Sequence, residues 1–304
     1  MAVYNGETTI ARALDSIFMQ RSAPEFEVIV TNDGSTDSTA EVLERYAGRL
    51  TVIAGERRGN GSARNKAIKV ARGEYLAFLD ADDVWLPDKL ARTIPVLDAN
   101  PRSSLVYSNA LVVNEQDEVL REYVRPDLAH APTLAEMFTC HWPILESMTV
   151  IRKAVVDEIG GFWEEPGAFR ANGAYFIFLR ARELGDFIYL HEPLVRYLSA
   201  PYPDSITRDD EIRPINFARF SERYGERGRQ LASAIKESIR RTHANQLGYL
   251  GRIALREGRT AEARRNFIRS LRYDPFNLKN ILRIMRTFLP ASMAKALTGG
   301  KRGV

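Results

Sequence analysis

Apolar residues recur along this chain at two different periods, and the switches between them mark out its elements. Over residues 8–20, Ile10, Ala13, Leu14, Ile17 and Phe18 fall at helical intervals and predict a helix with one buried face. Residues 26–31 form a short β-branched run and predict a strand. That run ends in Asn32-Asp33-Gly34-Ser35-Thr36-Asp37, a turn whose Ser and Asp side chains suit the start of a helix over 38–46. A second strand is predicted at 50–54, a helix at 63–71 after Gly59-Asn60-Gly61-Ser62, and a third strand from Tyr75 to Leu79. Strand, helix, strand, helix, strand in this order points to a right-handed, parallel α/β sheet.

The third strand stops abruptly at Asp80, Asp82 and Asp83, three carboxylates in four positions, and Pro87 then opens another predicted helix. Ligands of parallel sheets bind beyond the carboxyl ends of the strands. Acidic groups crowded there repel one another and suit a hard divalent cation, Mg²⁺ or Mn²⁺, shared with phosphate oxygens. The plainer reading is a solvated acidic turn with a helix cap. The earlier turns also read two ways. Asp33 either accepts a hydrogen bond from a base or only shapes its turn. Gly59 and Gly61 either let backbone approach a phosphate, with Arg64 as its cation, or form a plain connection between strand and helix. Arg64 stands where the third glycine of a dinucleotide fingerprint belongs, which argues against a nicotinamide or flavin enzyme.

Charge divides the chain. Residues 211–304 carry 21 Lys+Arg against 7 Asp+Glu, whereas residues 1–210 carry 22 against 32. An acidic body of 1–210 and a basic helical region of 211–304 predict two modules, the second facing something anionic. Few aromatics interleave with its basic residues, so a membrane surface, an anionic polymer or a protein partner suits it better than nucleic acid. Residues 281–297 are interrupted by Arg283, Arg286 and Pro290 and should lie along a membrane rather than span it. Leu247, Leu250, Gly251, Ala254, Gly258, Ala263, Phe267, Ser270 and Pro275 come close to tetratricopeptide spacing, which predicts a helical hairpin. The first residues have no signal-peptide pattern, and Cys140 is the only cysteine, so a cytoplasmic protein without an intrachain disulfide is expected, held peripherally at the inner face of the membrane. The four histidines show no metal-ligand spacing.

Taken in order, several motifs resemble the inverting family 2 glycosyltransferases. They are Val3-Tyr4-Asn5-Gly6-Glu7, the run Val28-Ile29-Val30 with residues 32–37, and Asn60-Gly61-Ser62-Ala63-Arg64-Asn65. Gly73-Glu74-Tyr75 through Asp80-Ala81-Asp82-Asp83 follows, and then Ile159-Gly160-Gly161-Phe162. The resemblance covers about residues 1–200. It implies a GT-A-type mixed, mostly parallel sheet flanked by helices, followed here by the all-α region. It also implies a metal-dependent transfer of a sugar from a nucleotide donor, a UDP-sugar, to a glycan or lipid-linked acceptor of cell-surface polysaccharide. Tyr4 and Asp33 would hold the base, and Arg64 the base or diphosphate. Asp80 and Asp82 would contact the ribose and the metal–diphosphate, while Asp83 and Trp85 line the sugar pocket. Trp85 reads equally as core packing.

Three departures bear on that resemblance. Only Met1, Ala2 and Val3 precede Tyr4, where the family has a longer first strand ending in proline. A start codon assigned too far downstream is the simplest explanation. No histidine stands near Arg196-Tyr197-Leu198, where many relatives carry a metal ligand. Aligned on Leu179-Arg180, the acidic pair expected to include the catalytic base becomes Gly173 and Ala174, which leaves Glu165 as a stand-in or an impaired enzyme. Two rivals follow. One is a sugar-nucleotide-binding scaffold of a polysaccharide assembly, and the other is a nucleotidyltransferase. Tyr4-Asn5-Gly6-Glu7 lacks the Gly-rich, cation-bearing loop that a nucleotidyltransferase requires.

Overall fold

The computed structural model of the chain describes residues 1–139, 142–164, 173–198 and 205–288. The chain divides into two compact units, residues 1–200 with 207–231, and residues 201–206 with 232–304. The boundary expected at residue 210 lies inside one long helical stretch, so composition changes there while the backbone continues.

The first unit opens with β1 (Ala2–Val3), α1 (Ile10–Phe18), β2 (Ile29–Asn32), α2 (Thr39–Glu44) and β3 (Thr51–Ala54). In α1 the residues at helical spacing, Ile10, Ala13, Leu14 and Ile17, are all buried, as their period requires. β1, β2 and β3 pair in parallel, with Ala2 opposite Thr31 and Ile29 opposite Thr51. The chain continues through α3 (Asn60–Val70), β4 (Tyr75–Ala77), β5 (Val84–Trp85) and α4 (Lys89–Asp98). α3 begins three residues before its expected start. Gly59 takes a left-handed φ of 94°, and Ala63 N–H donates to its carbonyl at 3.0 Å, so the glycine turn is itself the first helical turn.

Next come β6 (Ser103–Val113), β7 (Val119–Glu122), α5 (Leu134–Thr139), β8 (Thr149–Arg152), α6 (Lys153–Ile159), α7 (Gly173–Leu184) and β9 (Asp186–Leu198). These strands build a second sheet in the order β4-β8-β6-β9-β5, with β7 on β6. The sheet is mixed, as expected, but parallel pairing is confined to β1-β2-β3 and to β6 with β9. The remaining pairs are antiparallel: β6 and β7 reverse through the short turn Asn114–Asp117, whereas β4 with β8, β5 with β9 and β6 with β8 join strands far apart in the chain. Among the described residues β1 pairs only with β2 and β4 only with β8. A hollow of about 430 Å³ opens beside them, lined by residues of β2, α3 and β4 with Trp85 and Leu90.

α8 (Ser205–Arg256) departs from helical geometry at Gly225, whose φ is 56°. In the second unit the end of α8 is followed by α9 (Thr260–Tyr273) and α10 (Leu278–Arg286). Ala254, Ala263 and Phe267 form its buried centre. A Cβ on Gly251 would come within 2.5 Å of the Phe267 ring, so glycine there lets the two helices close together. A buried polar relay adds direction. The Asn280 amide donates to Ser270 Oγ at 2.7 Å, and that hydroxyl donates to the Ala244 carbonyl at 2.7 Å. No helix among the described residues is long and apolar enough to cross a membrane.

Candidate active site

The first two motifs hold each other. Asn5, at a φ of 52°, receives the Thr36 N–H on Oδ1 at 2.8 Å, and Ser35 Oγ accepts the Asn5 N–H at 3.0 Å. Glu7 accepts the Ser38 N–H at 2.9 Å, and Gly6 N–H donates to Thr39 Oγ1 at 2.8 Å. The loop after β1 is thus stitched to the loop after β2, at the carboxyl ends of parallel strands. Asp33 is buried there and accepts the N–H groups of Arg58 and Gly59, at 3.1 and 2.7 Å. It fixes the entry to α3. The Tyr4 ring lies 3.9 Å beneath the Arg57 guanidinium, a stacked cation that the motifs did not single out.

The acid cluster lies beyond β4. Arg64 is only 7% exposed and forms ion pairs with Asp80 and, at 3.0 Å, with Glu146. Burial works against its charge, but Glu146, Asp80 and Asp82 outweigh that and hold its pKa above the ordinary arginine value. Arg64 therefore braces Asp80 from behind. Burial, and then the neighbouring Asp80 charge, push Asp82 up to about 6. Asp83 is 1% exposed, and burial followed by the Asp80 and Asp82 charges raises it well above the carboxylate range. Its oxygens accept from Ser147 Oγ at 2.5 Å and from Leu198 N–H at 3.2 Å. Trp85 is buried, donating its indole N–H to the Ser147 carbonyl at 3.0 Å, so it packs beneath the cluster. Tyr197, in the region of the missing histidine, sets its ring 5.4 Å from Tyr123, and burial raises its hydroxyl.

Glu146 and Ser147 are the functional residues that sequence reading missed. They form a single 3₁₀ turn leading into β8. Because β8 runs antiparallel to β4, with Val150 opposite Ala77, the start of one strand meets the end of the other. No local periodicity announces that meeting. The only signal is a carboxylate and a hydroxyl just ahead of the β-branched run at 149–151. Ser147 Oγ accepts the Asp80 N–H at 3.0 Å while donating to Asp83, and the Met148 carbonyl takes the buried Lys89 ammonium. Ser147→Ala should cost about 1–3 kcal/mol by stranding both partners, whereas Ser147→Thr retains most of the stability. Thermal melting of the two variants checks this, and equal melting temperatures would rule out the bracing role.

Two carboxylates and a braced arginine suit a hard cation only in part. Among the described residues no three Asp, Glu, His or Cys side chains converge as a ligand set. The residues fit a divalent ion held by Asp80 and Asp82 that takes its remaining oxygens from water and a phosphorylated ligand, since such an ion offsets both the burial and the Asp80 repulsion that raise Asp82. Glu165, the proposed base, lies outside the described residues, as does Cys140. Gly173 and Ala174 form the first residues of α7.

Over residues 1–160 the sequence matches the family described as Glycosyl transferase family 2, more than half of the chain. The chain belongs to glycosyl transferase family 2. Among its relatives is the amylovoran biosynthesis glycosyltransferase AmsB of Erwinia amylovora, 30% identical over 205 residues, 64% of this chain and 66% of that protein. Another is WfgD of Escherichia coli, a UDP-Glc:alpha-D-GlcNAc-diphosphoundecaprenol beta-1,3-glucosyltransferase. It is 35% identical over 128 residues, 41% of this chain and 49% of WfgD. The chain thus aligns with roughly half to two thirds of the length of these family members. TarS of S. aureus (residues 1–349), solved with UDP-GlcNAc, superposes with a TM-score of 0.58 at 20% identity, covering 99% of this chain and 90% of that one. The mannosyltransferase PcManGT of Pyrobaculum calidifontis, solved with GDP-Man and Mn²⁺, gives 0.55 at 22%, covering 98% and 84%. These likenesses show the mixed α/β fold with a helical region after it, although fewer of its strand pairs are parallel than the motifs implied.

Proposed function

We propose that the chain transfers a hexosyl group from a UDP-sugar to a glycan or lipid-linked acceptor in cell-surface polysaccharide synthesis, with inversion at the anomeric carbon. The observation that carries this reading is the Asp80–Asp82 pair at the end of β4, braced by Arg64 against Glu146, in a chain whose β1 and β2 loops present Tyr4 and Asp33 at the ends of parallel strands. AmsB and WfgD carry polysaccharide and lipid-linked substrates in their names, and the TarS and PcManGT structures hold nucleotide sugars. Asp80 and Asp82 would hold Mn²⁺ or Mg²⁺, which stabilises the charge that grows on a departing nucleoside diphosphate. Tyr4 and Asp33 position the base, Arg64 holds the Asp80 carboxylate in place, and Asp83 shapes the sugar side of the cluster. The acceptor hydroxyl forms its bond to the anomeric carbon as the bond to the diphosphate oxygen breaks, and a carboxylate takes the hydroxyl proton. Calorimetric titration with a panel of nucleotide sugars in Mn²⁺ tests the donor, and the absence of UDP binding would sink the reading.

One observation favours a second reading, a donor-binding scaffold with impaired turnover. Neither Gly173 nor Ala174 can accept a proton, which leaves Glu165 as the stand-in base. Ala174→Asp should then raise transfer about a hundredfold, the contribution typical of general-base catalysis. Robust wild-type transfer that is unchanged by Glu165→Gln excludes both impairment and stand-in.

We also propose that the basic region 211–304, with its tetratricopeptide-like hairpin, holds the enzyme peripherally on an anionic membrane. α10 exposes Leu282 and Met285 on a helix that also carries Lys279, Arg283 and Arg286. The chain should sediment with liposomes containing anionic lipid and come off as salt rises, because screening weakens surface attraction. No sedimentation at low salt would leave a protein partner in its place.

A further inference from the structure

A second hollow, of about 360 Å³, lies behind Gly160 and Gly161 and has no part in the reading above. Its volume falls within the range of small-molecule pockets, about 300–1,000 Å³. The hollow is lined by Asn65, Ile159, Phe162, Trp163, Glu164 and Phe176 together with the two glycines. Two close approaches form it. A Cβ on Gly161, whose φ is +82°, would stand 2.4 Å from Asn65 Oδ1, and one on Gly61 would stand 2.6 Å from the Trp163 carbonyl oxygen. Only glycine at both positions lets the turn after α6 rest on the first turns of α3.

Asn65 then fixes that turn. Its buried amide donates to the Phe162 carbonyl and to Glu164 Oε1, both at 2.7 Å, and its Oδ1 accepts the Phe162 N–H at 2.7 Å. Ser62 Oγ donates to the other Glu164 oxygen at 3.4 Å. The exposed Glu164 carboxylate is therefore held in one orientation by a buried amide, with acceptor capacity left over. Beside it the Trp163 and Phe176 rings meet at 4.6 Å between centroids.

An aromatic pair next to an oriented carboxylate matches the chemistry of a pyranose. The C–H face of the sugar is weakly positive and lies against the negative face of an aromatic ring. Its hydroxyls donate charge-assisted hydrogen bonds to a carboxylate. Among the described residues no lysine or arginine lines the hollow, and Glu164 repels phosphate, so a neutral ligand suits it better than a nucleotide or lipid diphosphate. The Phe162 ring separates the hollow from the Arg64 guanidinium, 5.2 Å from its centre. Phe176 comes from the first turn of α7. We propose that this hollow is a pyranose subsite for the acceptor glycan, with Trp163 and Phe176 stacking one sugar and Glu164 taking its hydroxyl protons in hydrogen bonds. The assignment to the acceptor rests on the glycosyltransferase reading, but the recognition of a neutral sugar does not.

Saturation-transfer NMR of the full chain with methyl glucopyranoside, galactopyranoside, mannopyranoside and N-acetylglucosaminide tests this directly. At least one glycoside should receive saturation from the wild type. The signal should vanish in Trp163→Ala, and affinity should fall about tenfold in Glu164→Gln, whose exposed side chain makes it safe for folding. UDP titrated in Mn²⁺ should bind both variants as it binds the wild type. No glycoside signal from the wild type, or signals unchanged in Glu164→Gln, would overturn the subsite. Failure of UDP to bind the wild type would instead sink the donor reading and leave the glycoside result standing on its own.

Discussion

Asp82→Ala is expected to raise the Kd for UDP in Mn²⁺ about a hundredfold, roughly 2–3 kcal/mol, while leaving affinity in metal-free buffer unchanged. The carboxylate lies in the turn beyond β4, outside the strand pairing, so the fold should survive its loss. The wild-type effect should also depend on pH. Asp82 titrates at about 6 because of burial and of Asp80, and a protonated carboxyl is a poor ligand. Metal-dependent UDP binding should therefore weaken as pH falls from 7.5 through 6. Stability without metal runs the other way. A carboxyl whose pKa is higher in the folded chain binds more protons there, so the fold loses stability as pH rises from about 4 to about 6. Mn²⁺ should restore that loss, raising the melting temperature more at pH 7.5 than at pH 5. Calorimetry and melting at the two pH values check both halves, and UDP bound equally by Asp82→Ala in Mn²⁺ would show that the metal lies elsewhere.

Removing the arginine should do more damage than removing any one acid. Arg64→Leu leaves Asp80 and Glu146 without their cation in a site that already holds Asp82 and Asp83, and stranding one side of a buried pair costs about 3–5 kcal/mol. Lysine should rescue little. The guanidinium grips the two carboxylates with different nitrogens, whereas an ammonium is a single point charge. The deficit should shrink toward pH 5, because burial already raises Glu146, Asp82 and Asp83, and their protonation removes the stranded charge. Adding Glu146→Gln to Arg64→Leu should recover part of the loss at neutral pH. Urea unfolding at pH 7.5 and 5.5 decides the matter. Equal stability of Arg64→Leu and wild type at pH 7.5 would mean that the pairs contribute nothing.

What was legible in the sequence was local. The period of Ile10, Ala13, Leu14 and Ile17 located α1 and its buried face, and the run before Asp80 located β4. Asp33 and the aspartates stood out because their residue types are unusual after apolar strands, and Arg64 because it follows a glycine-rich turn. The role that Arg64 takes was hidden, since its partner Glu146 lies 82 residues further on and is delivered by antiparallel pairing of β8 with β4. The extent of antiparallel pairing was hidden for the same reason, as strand direction follows from connections rather than from composition. The inward turn of Asp83 and Trp85 was hidden, because short polar and aromatic side chains beside an acid cluster are ambiguous. Ser147, itself unremarkable in sequence, draws both of them inward.

The β4–β8 pairing has a consequence for how the chain reaches its native state. A slip of one residue in that register would turn each β8 side chain to the opposite face and carry Glu146 and Ser147 away from their partners. Arg64 would lose one carboxylate, Asp83 its hydroxyl donor and Lys89 its carbonyl, all in an interior that tolerates none of these losses. The charge cluster therefore penalises misaligned strands far more than the apolar faces of Leu76 and Ile151 could. Arg64 and Asp83, assigned to the donor, thus also favour the native register of the sheet.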